Sequence, residues 1–329
     1  MYFSETEEDT SHCIAMESTS TSTSTQTVRL PVQLYSAKRF SNDQLHYFTG
    51  LETYAKFCLV LDSLGPAAYE LNYYSGWAPP ISVEDQFLLT LIKLRLHSAN
   101  AELGIQFDIS VKHVSNIFIT WINFMAVQWE EIDWWPSREL VHFFAPKDFK
   151  DKFPKTRVIV DGTECPIMKP KQPVAQQATF SSYKNRNTVK VLVGVTPGGL
   201  VSYVSSAYGG SASDRQICER SGLPRKCDPG DEIMADKGFN VEDLFLPYQV
   251  ALNIPTFVKK RNRLAAQDVK NDRKIASKRV HVERVIGLAK TYKILTQPMS
   301  HIESSLATKI IKVIFTLCNF RKCIVPGDA

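Results

Sequence analysis

The 329-residue chain lacks an apolar run long enough to cross a membrane. Residues 310–320 form a short apolar stretch that is interrupted by Lys312, whereas a membrane-spanning helix needs about 20 apolar residues. The N-terminus carries Glu5, Glu7 and Glu8 where a secretory signal would have basic residues before an apolar segment. The sequence therefore predicts a protein with no membrane contact that stays inside the cell.

Cysteine and histidine are also scarce. The seven cysteines are odd in number and show no C-x-x-C spacing, which argues against a disulfide framework and against cysteine-ligated zinc. With only seven histidines, any metal site is expected on carboxylates, which favour Mg²⁺ or Mn²⁺. The content of 44% hydrophobic and 22% charged residues is typical of a folded protein, and the length corresponds to about two domains.

Positive charge is concentrated in one segment, although the net charge of the chain is only +5. Residues 259–290 contain eleven Lys or Arg residues against three acids, a patch large enough to bind a polyanion. A solvated surface loop is the alternative interpretation of such a run. Residues 1–30 are acidic and contain a Ser/Thr repeat, so residues 1–40 are expected to form a disordered tail.

Helical spacing of apolar residues dominates residues 41–150, which are predicted to form a small all-α domain. The predicted helical segments are residues 44–64, 82–96 and 101–107 and a helix that follows Ser110. The last three have the outline of a helix-turn-helix over about residues 80–127.

The last predicted helix presents polar side chains that could contact DNA. They are Lys112, His113, Asn116, Thr120 and Asn123. Only one of them carries a certain positive charge, and packing within a small helical domain is the more common explanation of the same pattern. Lys112 and Asn116 are the DNA contacts predicted from this helix.

From residue 151 to residue 325 the pattern changes to strands that alternate with helices, which indicates an α/β domain. The predicted strands are residues 158–160, 188–195, 200–207 and 232–235. The second and third are joined by a Pro-Gly-Gly turn at residues 197–199, which predicts a hairpin.

Two acids stand directly after predicted strands, Asp161 after residues 158–160 and Asp236 after residues 232–235. An acid at the carboxyl end of a buried strand projects into the crevice in which α/β proteins carry out chemistry. The alternative interpretation is that both acids cap the turns that follow.

A third acid, Glu283, lies within the basic segment. Arg279 precedes it by four residues, and Lys290 follows two helical turns later on the same face of a predicted helix. A salt-bridged surface residue is the ordinary explanation for such an acid. Three carboxylates surrounded by Lys and Arg are also what a divalent cation beside bound phosphates requires.

These contexts carry a resemblance to a known family. Val-Ile-Val-Asp161-Gly-Thr, Met-Ala-Asp236-Lys-Gly-Phe and Arg279-x3-Glu283-x6-Lys290 resemble, in this order, the three signature blocks of the DDE transposases, specifically the Harbinger-like DDE superfamily endonucleases. The resemblance covers about residues 157–322, and the predicted helix-turn-helix is similar to the module that precedes the catalytic domain in relatives. It implies an RNase H-like fold, a mixed sheet flanked by helices, with Asp161 on the first strand.

The resemblance further implies a DNA endonuclease or transposase that cuts and joins phosphodiester bonds. Asp161, Asp236 and Glu283 would be catalytic and would bind two Mg²⁺ or Mn²⁺ ions. The cations implied to hold DNA phosphates are Lys259, Lys260, Arg261, Arg263, Arg279 and Lys290. Asp214, in a further block that resembles the family, is expected to be a helix cap first and an auxiliary site residue second.

Two other functions fit parts of the sequence. A transposase-derived protein could bind DNA or a partner without cutting, although the intact acids favour an enzyme. An RNase H-type ribonuclease shares the metal chemistry but leaves the upstream helix-turn-helix unexplained. No zinc-finger spacing occurs before residue 80, so target recognition is expected to rest on the helix-turn-helix or on a separate DNA-binding partner protein. A homo-oligomer is compatible with this activity, and the nucleus is the expected location, with the cytoplasm as the alternative.

Overall fold

The structure is a computed structural model that describes residues 35–236, 238–255 and 266–325. The predicted acidic tail up to residue 34 and the predicted phosphate contacts Lys259, Lys260, Arg261 and Arg263 lie outside the described residues.

Helices alternate with strands only in the second half of the described chain. The strands are β1 (Thr156–Pro166), β2 (Phe180–Ser181), β3 (Arg186–Val195), β4 (Val201–Val204), β5 (Tyr208–Gly209), β6 (Glu232–Met234) and β7 (Ala251–Asn253). The α-helices are α1 (Asn42–Thr49), α2 (Tyr54–Asp62), α3 (Val83–Leu96), α4 (Asn100–Phe107), α5 (Val111–Glu130), α6 (Arg138–Phe144), α7 (Lys147–Lys152), α8 (Pro173–Thr179), α9 (Asp214–Ser221), α10 (Leu223–Lys226), α11 (Glu242–Phe245), α12 (Ala266–Ala289), α13 (His301–Ser305) and α14 (Ala307–Phe320).

The first predicted helix, over residues 44–64, is divided in two. Helix α1 ends because Gly50 follows it with a φ of 84°, a left-handed conformation that glycine adopts without steric cost. Thr53 then caps α2 by accepting a hydrogen bond from the backbone N–H of Lys56. The prediction of a single helix is wrong. The apolar spacing conceals the break, because buried apolar residues such as Leu51 continue across it.

The helices of the helix-turn-helix are present where the sequence places them. The side chains of Ser82 and Ser110 cap α3 and α5 by accepting hydrogen bonds from backbone N–H groups three residues later. His97 and Asp108 follow α3 and α4 in the left-handed conformation, which ends each helix with a tight turn. Helix α5 continues to Glu130, somewhat beyond the predicted module.

In the described part of the chain, seven strands form one mixed sheet in the order β2-β3-β1-β6-β7, with β4 and β5 also paired to β3. Strand β1 is antiparallel to β3 and parallel to β6, which is parallel to β7. The predicted hairpin joins β3 to β4, and Gly199 in its turn has a φ of 93°. A mixed sheet flanked by helices and preceded by a helical module confirms the predicted fold class and is consistent with an RNase H-like domain.

Helices pack on both faces of this sheet. The larger core contains α12 against β1 and β3, and continues through α14 into α3 and α5 of the helix-turn-helix. The smaller core, which includes Val160, Leu192, Ile233 and Phe245, covers the other face. The continuous larger core holds the helical module firmly against the sheet, and the predicted boundary at residue 150 stays a prediction. None of the described helices combines the length and the apolar character needed to cross a bilayer.

Candidate active site

Strand β1 carries Asp161 at the point where its pairing with β6 has ended. The last pair between these strands joins Ile159 to Met234, whereas β1 remains paired with β3 as far as Pro166. Asp161 therefore lies inside β1. The prediction from the local pattern that it follows the strand is wrong, whereas the position on the first strand that the family resemblance implies is confirmed. The difference arises because β3 continues to pair with β1 beyond Asp161, whereas the three-residue β6 leaves the other edge of β1 uncovered beyond Ile159. Asp236, two residues after β6, lies at the same end of the sheet.

Helix α12 packs across β1 and brings Arg279 and Glu283 to this end of the sheet. Arg279 Nη1 lies 2.8 Å from Asp236 Oδ1, and Arg279 Nη2 lies 3.3 Å from Glu283 Oε1. The Arg279 side chain is 13% exposed, whereas those of Asp236 and Glu283 are 56% and 50% exposed. A largely buried guanidinium thus bridges two acids that reach solvent.

Asp161 is the most buried of the three acids. Burial raises the pKa of Asp161 to about 6, against the lowering effects of Arg279 and of the Gly162 backbone N–H, which donates to Asp161 Oδ1 at 2.9 Å. The negative charges of Glu283 and Asp236 also raise this pKa. The three acids are therefore close enough to influence one another electrostatically around one guanidinium.

A cleft of about 500 Å³ opens beside these groups. Its charged wall consists of Asp161, Glu164, Asp214, Asp236, Lys184, Lys190, Arg279 and Lys290. Lys290 comes directly after α12, which ends at Ala289, one residue short of the predicted helical position. Glu283 is connected to this wall through its ion pair with Arg279. The structure thus brings Asp161, Asp236, Glu283, Arg279 and Lys290 together.

Asp214 has a different place from the one expected first. Ser213 is the N-cap of α9, with a capping box to Gln216, and Asp214 is the first helical residue. The Asp214 carboxylate pairs instead with Lys190, whose Nζ lies 3.0 Å from Oδ1. A Cβ atom at Gly162 would lie only 2.7 Å from the same Oδ1 atom, so a glycine is needed beside this pair.

Lys190 is a wall residue that the sequence analysis missed. It lies in β3, where nearly every neighbour is buried and apolar. A single lysine in a buried strand is the signal that could have identified it, because an unpaired charge there is costly. Its ion pair with Asp214 explains how this lysine is accommodated in a strand that is paired on both sides.

The prediction that Asn116 contacts DNA is wrong for this structure. Its side chain is 4% exposed, and Oδ1 accepts from the backbone N–H of Ser75 while Nδ2 donates to the carbonyl of Trp77. Thr120, one turn later, accepts from the backbone N–H of Tyr74 and is also buried. The loop before α3 covers this side of α5. Lys112, in the first turn of α5, is exposed and stays a predicted DNA contact.

The donor chemistry of the three acids fits a hard divalent cation, since all three provide carboxylate oxygens and two reach solvent. Among the described residues, however, no group of three His, Cys, Asp or Glu side chains has the proximity of a metal cluster. In this conformation the cation between Asp236 and Glu283 is Arg279 itself.

Comparisons with known proteins give two family matches. Residues 160–319 match the family model described as DDE superfamily endonuclease, and residues 79–130 match the helix-turn-helix of DDE superfamily endonuclease. No curated protein and no solved structure matches the chain. The first range contains Asp161, Asp236 and Glu283, and the second contains α3, α4 and α5. The Harbinger-like subgroup stays a prediction. With both modules in the expected order, the chain is a DDE transposase-like protein.

Proposed function

We propose that this protein is a metal-dependent DNA endonuclease or transposase in which Asp161, Asp236 and Glu283 hold Mg²⁺ or Mn²⁺. The superfamily match supports a nuclease or transposase function at the coarser level. The observation that carries the residue assignment is the meeting of three acids, from β1, from the end of β6 and from α12, around Arg279.

The protein's own groups would have distinct roles. Asp161 is fixed by a paired strand and α12 fixes Glu283, so both carboxylates are positioned by regular elements. When two Mg²⁺ or Mn²⁺ ions are bound, they supply activation of the attacking oxygen and stabilisation of the leaving oxygen during in-line attack on phosphorus. The same carboxylates would serve cleavage and joining, because both reactions exchange one oxygen on phosphorus for another.

The cations of the cleft would hold the substrate. Lys190 and Lys290 line it and would neutralise phosphates on either side of the bond that is cut. Arg279 is paired with Asp236 and Glu283 in this structure. When these ion pairs open, its planar guanidinium would bind a phosphate through two parallel hydrogen bonds. Lys112, in the helix-turn-helix, would add a contact with the DNA backbone.

Nicking of supercoiled plasmid by purified protein with Mg²⁺ or Mn²⁺ tests this function. We expect nicking that is abolished by EDTA and by Asp161→Asn, with DNA affinity retained. Asp62→Asn, which changes an exposed acid at the last residue of α2, is the matched control and should nick normally. Nicking that persists in Asp161→Asn would overturn the assignment of Asp161.

Salt-sensitive DNA binding without nicking would instead support the DNA- or partner-binding function without cleavage. We also propose a nuclear location, because the substrate of this chemistry is DNA. A separate DNA-binding partner and a homo-oligomer stay predictions.

A further inference from the structure

A second cleft, of about 310 Å³, lies at the opposite ends of β1 and β6. Its wall includes Thr156 and Arg157 at the start of β1, Asp231 just before β6, and residues of α6 and α7. Asp161 and Asp236 each come five residues later along these two strands. At about 3.3 Å per residue, the two clefts are on the order of 16 Å apart. They share no wall residue, so the second cleft is separate from the candidate active site.

The wall of this cleft has an excess of positive charge. Its ionisable residues are Arg138, His142, Lys150, Lys155, Arg157 and a single acid, Asp231. Asp231 is 2% exposed and already paired, since Arg138 Nε lies 2.7 Å from Oδ1 and the Asp228 backbone N–H donates to Oδ2 at 2.8 Å. The one wall carboxylate is therefore satisfied by a neighbouring arginine. Lys150, Lys155 and Arg157 have no acid of their own inside this cleft.

Arg157 is the unusual member of this group. Its side chain is 5% exposed, and its nearest acid is the largely exposed Asp228, with 3.7 Å between Arg157 Nη2 and Asp228 Oδ2. Arg157 Nε and Nη1 are buried and have no hydrogen-bond partner among the described residues. The guanidinium also packs against the Trp135 ring, 5.5 Å from its centre. Two unpaired nitrogens on a buried cation are costly, because their N–H groups have lost contact with water and have no hydrogen bond in exchange.

Thr156 adds a second unsatisfied donor beside Arg157. Its Oγ1 atom is buried and also has no hydrogen-bond partner within the described chain. A hydroxyl and two guanidinium N–H groups are the donors that a tetrahedral oxyanion accepts. Lys155, the preceding residue, is exposed and would supply further charge at the mouth of the cleft.

We propose that this cleft binds a phosphate group, with Arg157 and Thr156 as buried donors and Lys155 at the rim. The phosphate could be free or part of a DNA strand, and both sources present the same oxygens to the site. Binding would satisfy the buried donors and offset the charge excess of the wall. The site is independent of the three acids, so its failure and the failure of the proposed nuclease function can be told apart.

The first arm of the test is a titration with inorganic phosphate in which the midpoint of thermal unfolding is measured. Chloride at matched ionic strength is the reference. We expect a saturable rise in the midpoint, and Lys155→Gln and Thr156→Val should each weaken the apparent phosphate affinity several-fold. Arg157→Gln should weaken it about tenfold or more, since hydrogen bonds to charged groups are the stronger ones. Lys147→Gln, an exposed lysine of α7 outside the cleft wall, is the matched control.

The second arm measures binding of a short DNA duplex with the same variants. Parallel losses of phosphate and duplex affinity would assign the site to the DNA backbone, and a loss of phosphate affinity alone would assign it to a free phosphate. Phosphate binding that is equal in wild type, Lys155→Gln and Thr156→Val would overturn the proposal, as would the absence of any saturable phosphate effect. These two variants keep the test decisive even where Arg157→Gln fails to fold.

Discussion

Two buried arginines mark opposite ends of the same pair of parallel strands and differ in what surrounds them. Arg279, at the carboxyl ends of β1 and β6, bridges Asp236 and Glu283. Arg157, at the amino ends, has two buried nitrogen atoms without a partner among the described residues, whereas Arg279 has one, Nε. The first cleft balances four acids against four cations, and the second has cations around one acid that is already paired.

This difference teaches that partners, and not residue type, decide which ligand an arginine indicates. Arg279 neutralises carboxylates that a divalent cation would otherwise neutralise, so it marks a site for positive charge. Arg157 has donors to spare, so it marks a site for negative charge. A shared sheet allows both, because its two ends are separated by the length of a strand and each end has its own helices.

The largest expected effect concerns the acids of the first cleft. Asp236→Asn and Glu283→Gln should each reduce metal-dependent plasmid nicking by about a thousandfold or more, because each removes an ionised oxygen ligand. DNA affinity should stay within about twofold, since the lysines of the cleft remain. Nicking and filter binding are measured side by side with Asp62→Asn as the control. Normal nicking in both variants would show that Asp236 and Glu283 are not needed for cleavage, and the two ends of the sheet could then no longer be distinguished by their acids.

A third charged cluster, which lines neither cleft, shows how a buried acid behaves when neighbouring side chains compensate its charge. Glu303 on α13 lies 3.1 Å from Lys93 Nζ and 3.1 Å from His97 Nε2, both contributed by α3 and its C-cap. Burial alone would raise the pKa of Glu303, but the hydrogen bond with His97 and the charge of Lys93 lower it well below its usual range.

The Glu303 cluster should therefore stabilise the fold at neutral pH and lose that effect in acid. Because the folded pKa lies below the unfolded one, the unfolded state takes up the proton first, and stability falls as pH decreases below about 4.5. Glu303→Gln should lower the free energy of unfolding by about 3 kcal/mol at pH 7 and flatten this dependence. Urea denaturation between pH 7 and pH 3 measures both, and the exposed Glu130→Gln serves as control. An equally steep pH profile in Glu303→Gln would contradict the assignment.

Arg279→Ala should sharpen the contrast between the two arginines. Without the guanidinium, Asp236 and Glu283 lose their bridging cation, and we expect Mn²⁺ to bind about tenfold more tightly, since less positive charge remains to oppose it. Calorimetric titration of Mn²⁺ in the absence of DNA measures this directly. Arg215→Ala, which removes an exposed arginine paired with Asp243, should leave the Mn²⁺ affinity unchanged. Unchanged or weaker Mn²⁺ binding in Arg279→Ala would show that this arginine does not compete with a metal.

The residues of this site could be predicted where a short stretch of sequence identifies them, and could not where their position depends on contacts with distant parts of the chain. Asp236 and Glu283 stand in short contexts that resemble family blocks, so their role could be predicted before any fold was known. The extent of β1 beyond Asp161 could not be read from the local strand pattern, because it depends on how far β3 continues to pair with β1. The burial of Asn116 likewise depends on a loop that folds over α5 from outside the helix.

Arg157 shows the limit of sequence reasoning most clearly. In the sequence it is one basic residue before an apolar strand, and the strand pattern alone gives no reason to single it out. Arg157 is significant because its side chain is 5% exposed while two of its nitrogen atoms lack partners among the described residues. This burial depends on packing against Trp135 and the neighbouring strands, which only the structure shows.

The smallest expected effect tests whether the two ends of the sheet are independent. A Cβ atom at Gly162 would lie 2.7 Å from Asp214 Oδ1, so Gly162→Ala should displace the ion pair between Asp214 and Lys190 and destabilise the fold by about 1 kcal/mol. Gly238→Ala, in the same cleft, is the control, because no described atom lies within 4 Å of its Cβ position.

The readouts for Gly162→Ala are the thermal midpoint, plasmid nicking and phosphate affinity. We expect a lower midpoint and slower nicking, because Lys190 loses the partner that positions it at the wall of the first cleft. Phosphate affinity of the second cleft should not change, since the substitution touches neither Arg157 nor its neighbours. A parallel loss of phosphate affinity would mean that β1 transmits strain from one end to the other, and the two clefts would then have to be treated as one coupled site.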